Sequence, residues 1–227
     1  MNQIKRQQSG FTLIEIAIVL VIIGLLLGGV LKGQEMVENS RIKSVVADMR
    51  GVSTAFTGYY DRYRALPGDE TAATVLARGW GALGGGNGDG VVTLAVADTF
   101  LNAGVEHAAM WQHLRGAGFL SGNPLTVGQA ALPRAGTGGL MGGATAPFAL
   151  PGGGPAVCVS NLNHKQASGI DVLVDGPLPA TNIGNNVGEL RGAANAAVNN
   201  PPAAAVPAGA AYNEAAVTTW TICRKLQ

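Results

Sequence analysis

The 227 residues leave room for one anchor segment and one modest domain, and 15 Lys+Arg against 14 Asp+Glu give no electrostatic case for nucleic-acid binding. With 34 glycines, 13% charged and 5% aromatic residues, the chain is loop-rich and thin in core material for its length. Its two cysteines, Cys158 and Cys223, have no third or fourth ligand at zinc-like spacing.

Residues 1–10 are polar and carry Lys5 and Arg6; without them the side chains hold 13 Lys+Arg against 14 Asp+Glu, a net −1. From Phe11 to Leu31 follow 21 residues in which Glu15 is the single charge. At 1.5 Å per residue this is roughly 30 Å of helix, enough to cross a bilayer core. A carboxylate there costs roughly 2.5–3.5 kcal/mol on insertion scales, so a residue of this kind is usually kept for a partner. Lys5 and Arg6 ahead of the run favour a cytoplasmic N-terminus, which puts the bulk of the chain outside the inner membrane.

Gly10-Phe11-Thr12-Leu13-Ile14-Glu15 and the aliphatic run after it resemble the class III signal of type IV prepilins and type II secretion pseudopilins. The resemblance covers about residues 4–31. It implies cleavage by a membrane-embedded prepilin peptidase between Gly10 and Phe11, and N-methylation of the new Phe11 amine by the same enzyme. It further implies that Glu15 pairs with the Phe11 amine of a neighbouring subunit during assembly. A buried acid is tolerable when a cation meets it in low dielectric. An ordinary secretory signal would need a cleavage site after the run, and Leu31-Lys32-Gly33-Gln34 offers no A-x-A pattern. In an ordinary single-pass anchor, Glu15 would be incidental.

Gly24/Gly28 and Gly29/Gly33 form small-xxx-small pairs that let helices approach closely. Many members of the resembled family carry a proline near the end of the run; this chain has Lys32 among glycines. Ile42, Val45, Val46, Met49, Val52, Phe56, Tyr59, Tyr60 and Tyr63 then recur at spacings of three and four, opposite Arg41, Lys43, Asp48 and Arg50. The pattern predicts one helix of about 50 residues, with residues 32–66 its amphipathic continuation, stopped at Leu66-Pro67-Gly68-Asp69. Residues 67–227 form the head.

A narrower resemblance, to prepilin-like proteins of Gram-negative bacteria, rests on Ala65–Asp69, Trp80-Gly81, Gly86–Gly90, Trp111–Leu114 and Ala117–Leu120. Asn87-Gly88-Asp89-Gly90 is a turn that faintly resembles an acidic calcium loop, with Asn87 and Asp89 as candidate ligands and Asp69, Glu70 and Asp98 as further oxygen donors. The twelve-residue pattern with a closing glutamate is absent. No other cofactor is indicated. Residues 105–118 predict a helix with Val105, Ala108, Trp111, Leu114 and Ala117 on one face; His107 and His113 are expected to be solvated or capping residues.

Strands are expected at 148–150, 156–159, 170–174 and 217–223, and exposed loops at 136–155, rich in glycine, and 192–211, rich in Ala, Asn and Pro. In an exported domain a Cys158–Cys223 disulfide is the default. Closing a loop of that length adds about 4 kcal/mol in the chain-entropy model.

The expected fold is α+β and type IV pilin-like, a long N-terminal helix packed on a small antiparallel sheet with long loops. The expected role is structural, not enzymatic: a type IV pilus subunit, with a type II secretion pseudopilin as alternative and a membrane-anchored ligand-binding module behind it. The resemblance implies as partners copies of the chain or other pilins, the prepilin peptidase and an inner-membrane assembly platform. It also implies residence in the inner membrane and then in a pilus or periplasmic pseudopilus. Ser160, His164 and Asp171 could suggest a hydrolase, but no nucleophile elbow surrounds Ser160.

Overall fold

The computed structural model describes residues 12–178, 184–209, 212 and 219–226. By contact the chain divides into two units, Met1–Ser40 and Arg41–Gln227. Helix α1, Leu13–Tyr63, runs through both. In the first unit, residues 12–37 are all exposed. In the second, the expected stripe is buried: Ile42, Val45, Val46, Met49, Val52, Phe56 and Tyr59 join one core with the sheet. Tyr60 lies outside it at 46% exposure, because aromatic content at a stripe's edge does not itself dictate burial. The helix ends where Arg64 turns to φ 54° and donates its N–H back to the Tyr60 carbonyl at 2.7 Å, just before Leu66-Pro67.

Four antiparallel strands form one sheet in the order β1-β2-β4-β3: β1 Met141–Thr145, β2 Pro155–Leu162, β3 Leu190–Asn195 and β4 Thr219–Lys225. The fold is therefore the α+β arrangement expected, a long N-terminal helix on a small antiparallel sheet. Cys158 faces Cys223 across the two central strands, and the two are joined by a disulfide. Among the described residues of the second unit are three shorter α-helices: α2 Ala72–Ala77, α3 Val105–Gly116 and α4 His164–Asp175.

Several expectations are corrected. Residues 170–174 belong to α4, not to a strand. Asn163 and Gln166 close a reciprocal capping box at its start, and this N-terminal signal outweighs the β-branched Ile and Val. Phe148-Ala149-Leu150 lies on a 3-10 turn at Pro147–Ala149 and its exit, with Phe148 at φ 54°. The glycine-rich stretch 136–155 is not an exposed loop throughout, since it supplies β1, buried from Met141 to Ala144. Its glycines are needed for close approach: a Cβ at Gly142 would stand 2.0 Å from the Thr99 carbonyl oxygen. The segment 192–211 likewise begins inside β3.

The face of α3 is also corrected. Val105 is 71% exposed, whereas Glu106, His107, Ala109, Met110, Gln112 and His113 are buried with Trp111 and Leu114. Glu106, Gln112 and His113 can lie inward because each finds a bond. The Glu106 carboxylate accepts the Thr93 N–H, and the Gln112 side-chain oxygen accepts the Gly84 N–H. His113 is a cross-link between loops, not a solvated residue. Its Nδ1 accepts the Gly68 N–H at 3.0 Å, so Nε2 carries the proton toward the Gly84 carbonyl at 2.8 Å. Burial holds both His107 and His113 below the usual imidazole range.

Candidate functional site

Of the expected site residues, Gly10 and Phe11 lie outside the described residues. The described site begins at Thr12. Thr12 precedes the first helical residue, and its backbone N–H and hydroxyl both donate to Glu15 Oε2, at 2.8 and 2.7 Å. In return the Glu15 N–H donates to Thr12 Oγ1 at 3.3 Å. This is a capping box, T-x-x-E, closed in both directions. Glu15 is thus a capping residue as well as a costly acid, and Thr-x-x-Glu before an apolar run is the signature of that second role. The carboxylate also lies in the first turn, where it meets the positive end of the helix dipole.

From here α1 is apolar and open on every side: Leu13, Leu20, Val21, Leu25 and Leu26 are all more than 60% exposed. It is the one described helix long and apolar enough to cross a membrane. A patch this large is not left against water; it is an interaction surface for lipid or for other helices. Lys32 ends the run and pairs with Glu35 at 3.0 Å on the exposed surface, a contact worth little by itself.

In the second unit, the loop of Asn87 and Asp89 is organised by Asp69. Its two carboxylate oxygens accept the N–H groups of Asp89 and Gly90, each at 3.0 Å. Asn87 and Asp89 bond to each other, and Asp89 Oδ1 accepts the Val91 N–H. Glu70 turns elsewhere, accepting the Tyr59 hydroxyl at 2.7 Å and Arg78 Nε at 2.9 Å. Folding thus brings Asp69 to the loop and takes Glu70 to the end of α1. Among the described residues, no three His, Cys, Asp or Glu side chains gather as a metal-holding group.

Ser160 and Asp171 enter different hydrogen-bond sets. Ser160 donates to Asn199 Oδ1 and accepts the Leu140 N–H, while Asp171 accepts the Tyr212 hydroxyl at 2.6 Å. Ser160 is fully buried on a central strand, and its hydroxyl ties Leu140 to Asn199.

Residues 5–31 match the family model of the prokaryotic N-terminal methylation motif, the class III signal of type IV pilins and pseudopilins. No curated protein and no solved structure matches the chain. The motif and the α+β fold together support a type IV pilin-like or pseudopilin-like protein.

Proposed function

We propose that the chain is a structural subunit of a type IV pilus, cut by prepilin peptidase between Gly10 and Phe11 and assembled through α1. The observation that carries this reading is the methylation motif on a capped helix whose apolar first half is exposed on every side. The subunit waits in the inner membrane with a cytoplasmic N-terminus until an assembly platform extracts it. Its apolar half then passes from lipid into a bundle of identical helices, which replaces one low-dielectric surrounding by another. Glu15 meets the Phe11 amine of a neighbour there, so the acid that was costly in lipid becomes the group that sets the packing position. No step of this is catalytic on the chain's own part.

A pseudopilin of a type II secretion system would carry the same signal. The two are separated by shearing cells, imaging the released filaments and probing them for this chain. Surface filaments containing it are expected; its confinement to the periplasm would favour the pseudopilin. Glu15→Ala should leave cleavage largely intact and impair assembly, and undiminished incorporation into filaments would contradict the proposed pairing.

A further inference from the structure

Residues 66–90 form a segment that braces itself. The Gly86 N–H donates to the Glu70 carbonyl at 2.6 Å, and the Gly88 N–H to the Asp69 carbonyl at 2.8 Å. Both arms of the segment are then fastened to α3 at one place. The His113 imidazole accepts the Gly68 N–H from one arm and donates to the Gly84 carbonyl of the other, while Gln112 takes the Gly84 N–H at 2.7 Å. Behind the arms lie Tyr59 and Met110, both fully buried. A Cβ at Gly68 would stand 3.1 Å from the Met110 Cβ, and the Tyr59 ring stacks on His113 with centres 6.0 Å apart.

This fastening needs a neutral ring. Nδ1 must offer a lone pair and Nε2 a proton, and only one tautomer does both. An imidazolium carries a proton on each nitrogen, so the Gly68 N–H would face another donor at 3.0 Å. The charged and titratable neighbours do not offset this. From α1 the ring meets Tyr59. From the segment it meets Glu70 and Arg78, whose charges are opposite in sign and bonded to each other at 2.9 Å. Asp69 is turned to the Asp89 and Gly90 amides, and Glu106, two turns earlier on α3, to the Thr93 amide. Burial is the larger effect and holds the ring neutral.

We propose that His113 is an acid-released latch: protonation of its ring unfastens the two arms of residues 66–90 from α3 and uncovers Tyr59 and Met110, while the disulfide-tied sheet stays folded. The ring's folded value lies below the ordinary imidazole value of about 6.5, so the released state binds the extra proton. The latch is complete above about pH 6.5 and is lost as pH falls through the lowered folded value. The sheet does not share in this, since backbone ladders and the Cys158–Cys223 bond hold its strands. His107 serves as an internal comparison. It is buried on the same helix, but its neighbours are Asp98 and Gly104, outside the latched segment. The latch belongs to the second unit and does not depend on the assembly reading.

The test is hydrogen–deuterium exchange of the full chain in detergent micelles at about pH 7.5 and about pH 5, read peptide by peptide and corrected for the intrinsic pH dependence of amide exchange. Peptides from 66–90 should lose protection about tenfold at the lower pH, the scale set by one buried donor losing its acceptor. Peptides from β2, β4 and residues 92–104 should not. His113→Asn keeps an acceptor for the Gly68 N–H and does not titrate, so its protection over 66–90 should be the same at both pH values. Nitrogen NMR spectra of the wild-type histidines give a second reading that needs no variant. His113 should carry its proton on Nε2 at the higher pH and gain the second one over the range in which 66–90 opens. Equal wild-type protection at both pH values, or loss in β2 and β4 together with 66–90, would overturn the latch. So would an equal loss in His113→Asn, or a ring that stays neutral while the segment opens.

Discussion

At the scale of single residues, Glu15 is asked to do two things that a substitution can separate. It caps the helix through Thr12 and offers a negative charge to a partner amine. Glu15→Gln keeps a side-chain oxygen for the cap but removes the charge. It is expected to fold a normal first turn and to enter filaments poorly; incorporation at the wild-type level would mean that capping alone suffices. Glu70 is the corresponding residue in the head. It is 5% exposed and holds Tyr59 and Arg78 together, while the Arg78 guanidinium lies 4.3 Å from the Tyr63 ring centre. Glu70→Ala leaves a buried hydroxyl without its acceptor and should cost about 1–3 kcal/mol in denaturant unfolding. Asp69 already spends both oxygens on loop amides. Excess calcium is therefore expected to leave the melting temperature unchanged, and an upward shift would show that the loop yields those oxygens to the ion.

At the scale of elements, α4 is held to the C-terminal segment by Asp171 and Tyr212. Burial, with Asp175 nearby, raises the Asp171 carboxyl from its usual value to about 6, against the lowering effect of the Tyr212 bond. A folded value above the unfolded one means that the folded state binds the extra proton. The stabilisation is complete below about pH 4 and is lost as pH rises through about 6. Measured against Asp171→Asn, the wild-type melting temperature should therefore fall across that window; a flat difference would contradict the assignment. Gly142→Ala should disrupt β1, because no Cβ fits against Thr99.

These same elements show what was legible in the sequence. The stripe from Ile42 to Tyr59 and the strand around Cys158 follow from local periodicity, and local periodicity is what a chain displays. β1 could not be read, because Met-Gly-Gly-Ala-Thr is strand only by virtue of what lies against it. Ile-Asp-Val-Leu-Val has the β-branched content of a strand, and only the Asn163 and Gln166 cap upstream marks it as part of α4. His113 looked like surface because the loops it joins lie 45 and 29 residues away. At the N-terminus the motif was plain and the Thr12 cap was written in the same six residues.

At the scale of the whole molecule, the two units place opposite demands on the chain. The first leaves every described residue through Val37 exposed and must be covered by something else. The second has its own core, and a disulfide spanning 65 residues between its central strands. Replacing Cys158 and Cys223 by serine should cost about 2–5 kcal/mol in unfolding of the head. It should leave processing at the far end of the chain unchanged, because the two units are separate in their contacts. The central claim is that the first unit is an assembly helix released by a single cut. Mass spectrometry of the mature N-terminus, from cells with and without prepilin peptidase, tests it most directly. The account predicts a chain that begins at Phe11 with a methylated amine and needs the peptidase for it; any other start, or an intact leader in both strains, would contradict it.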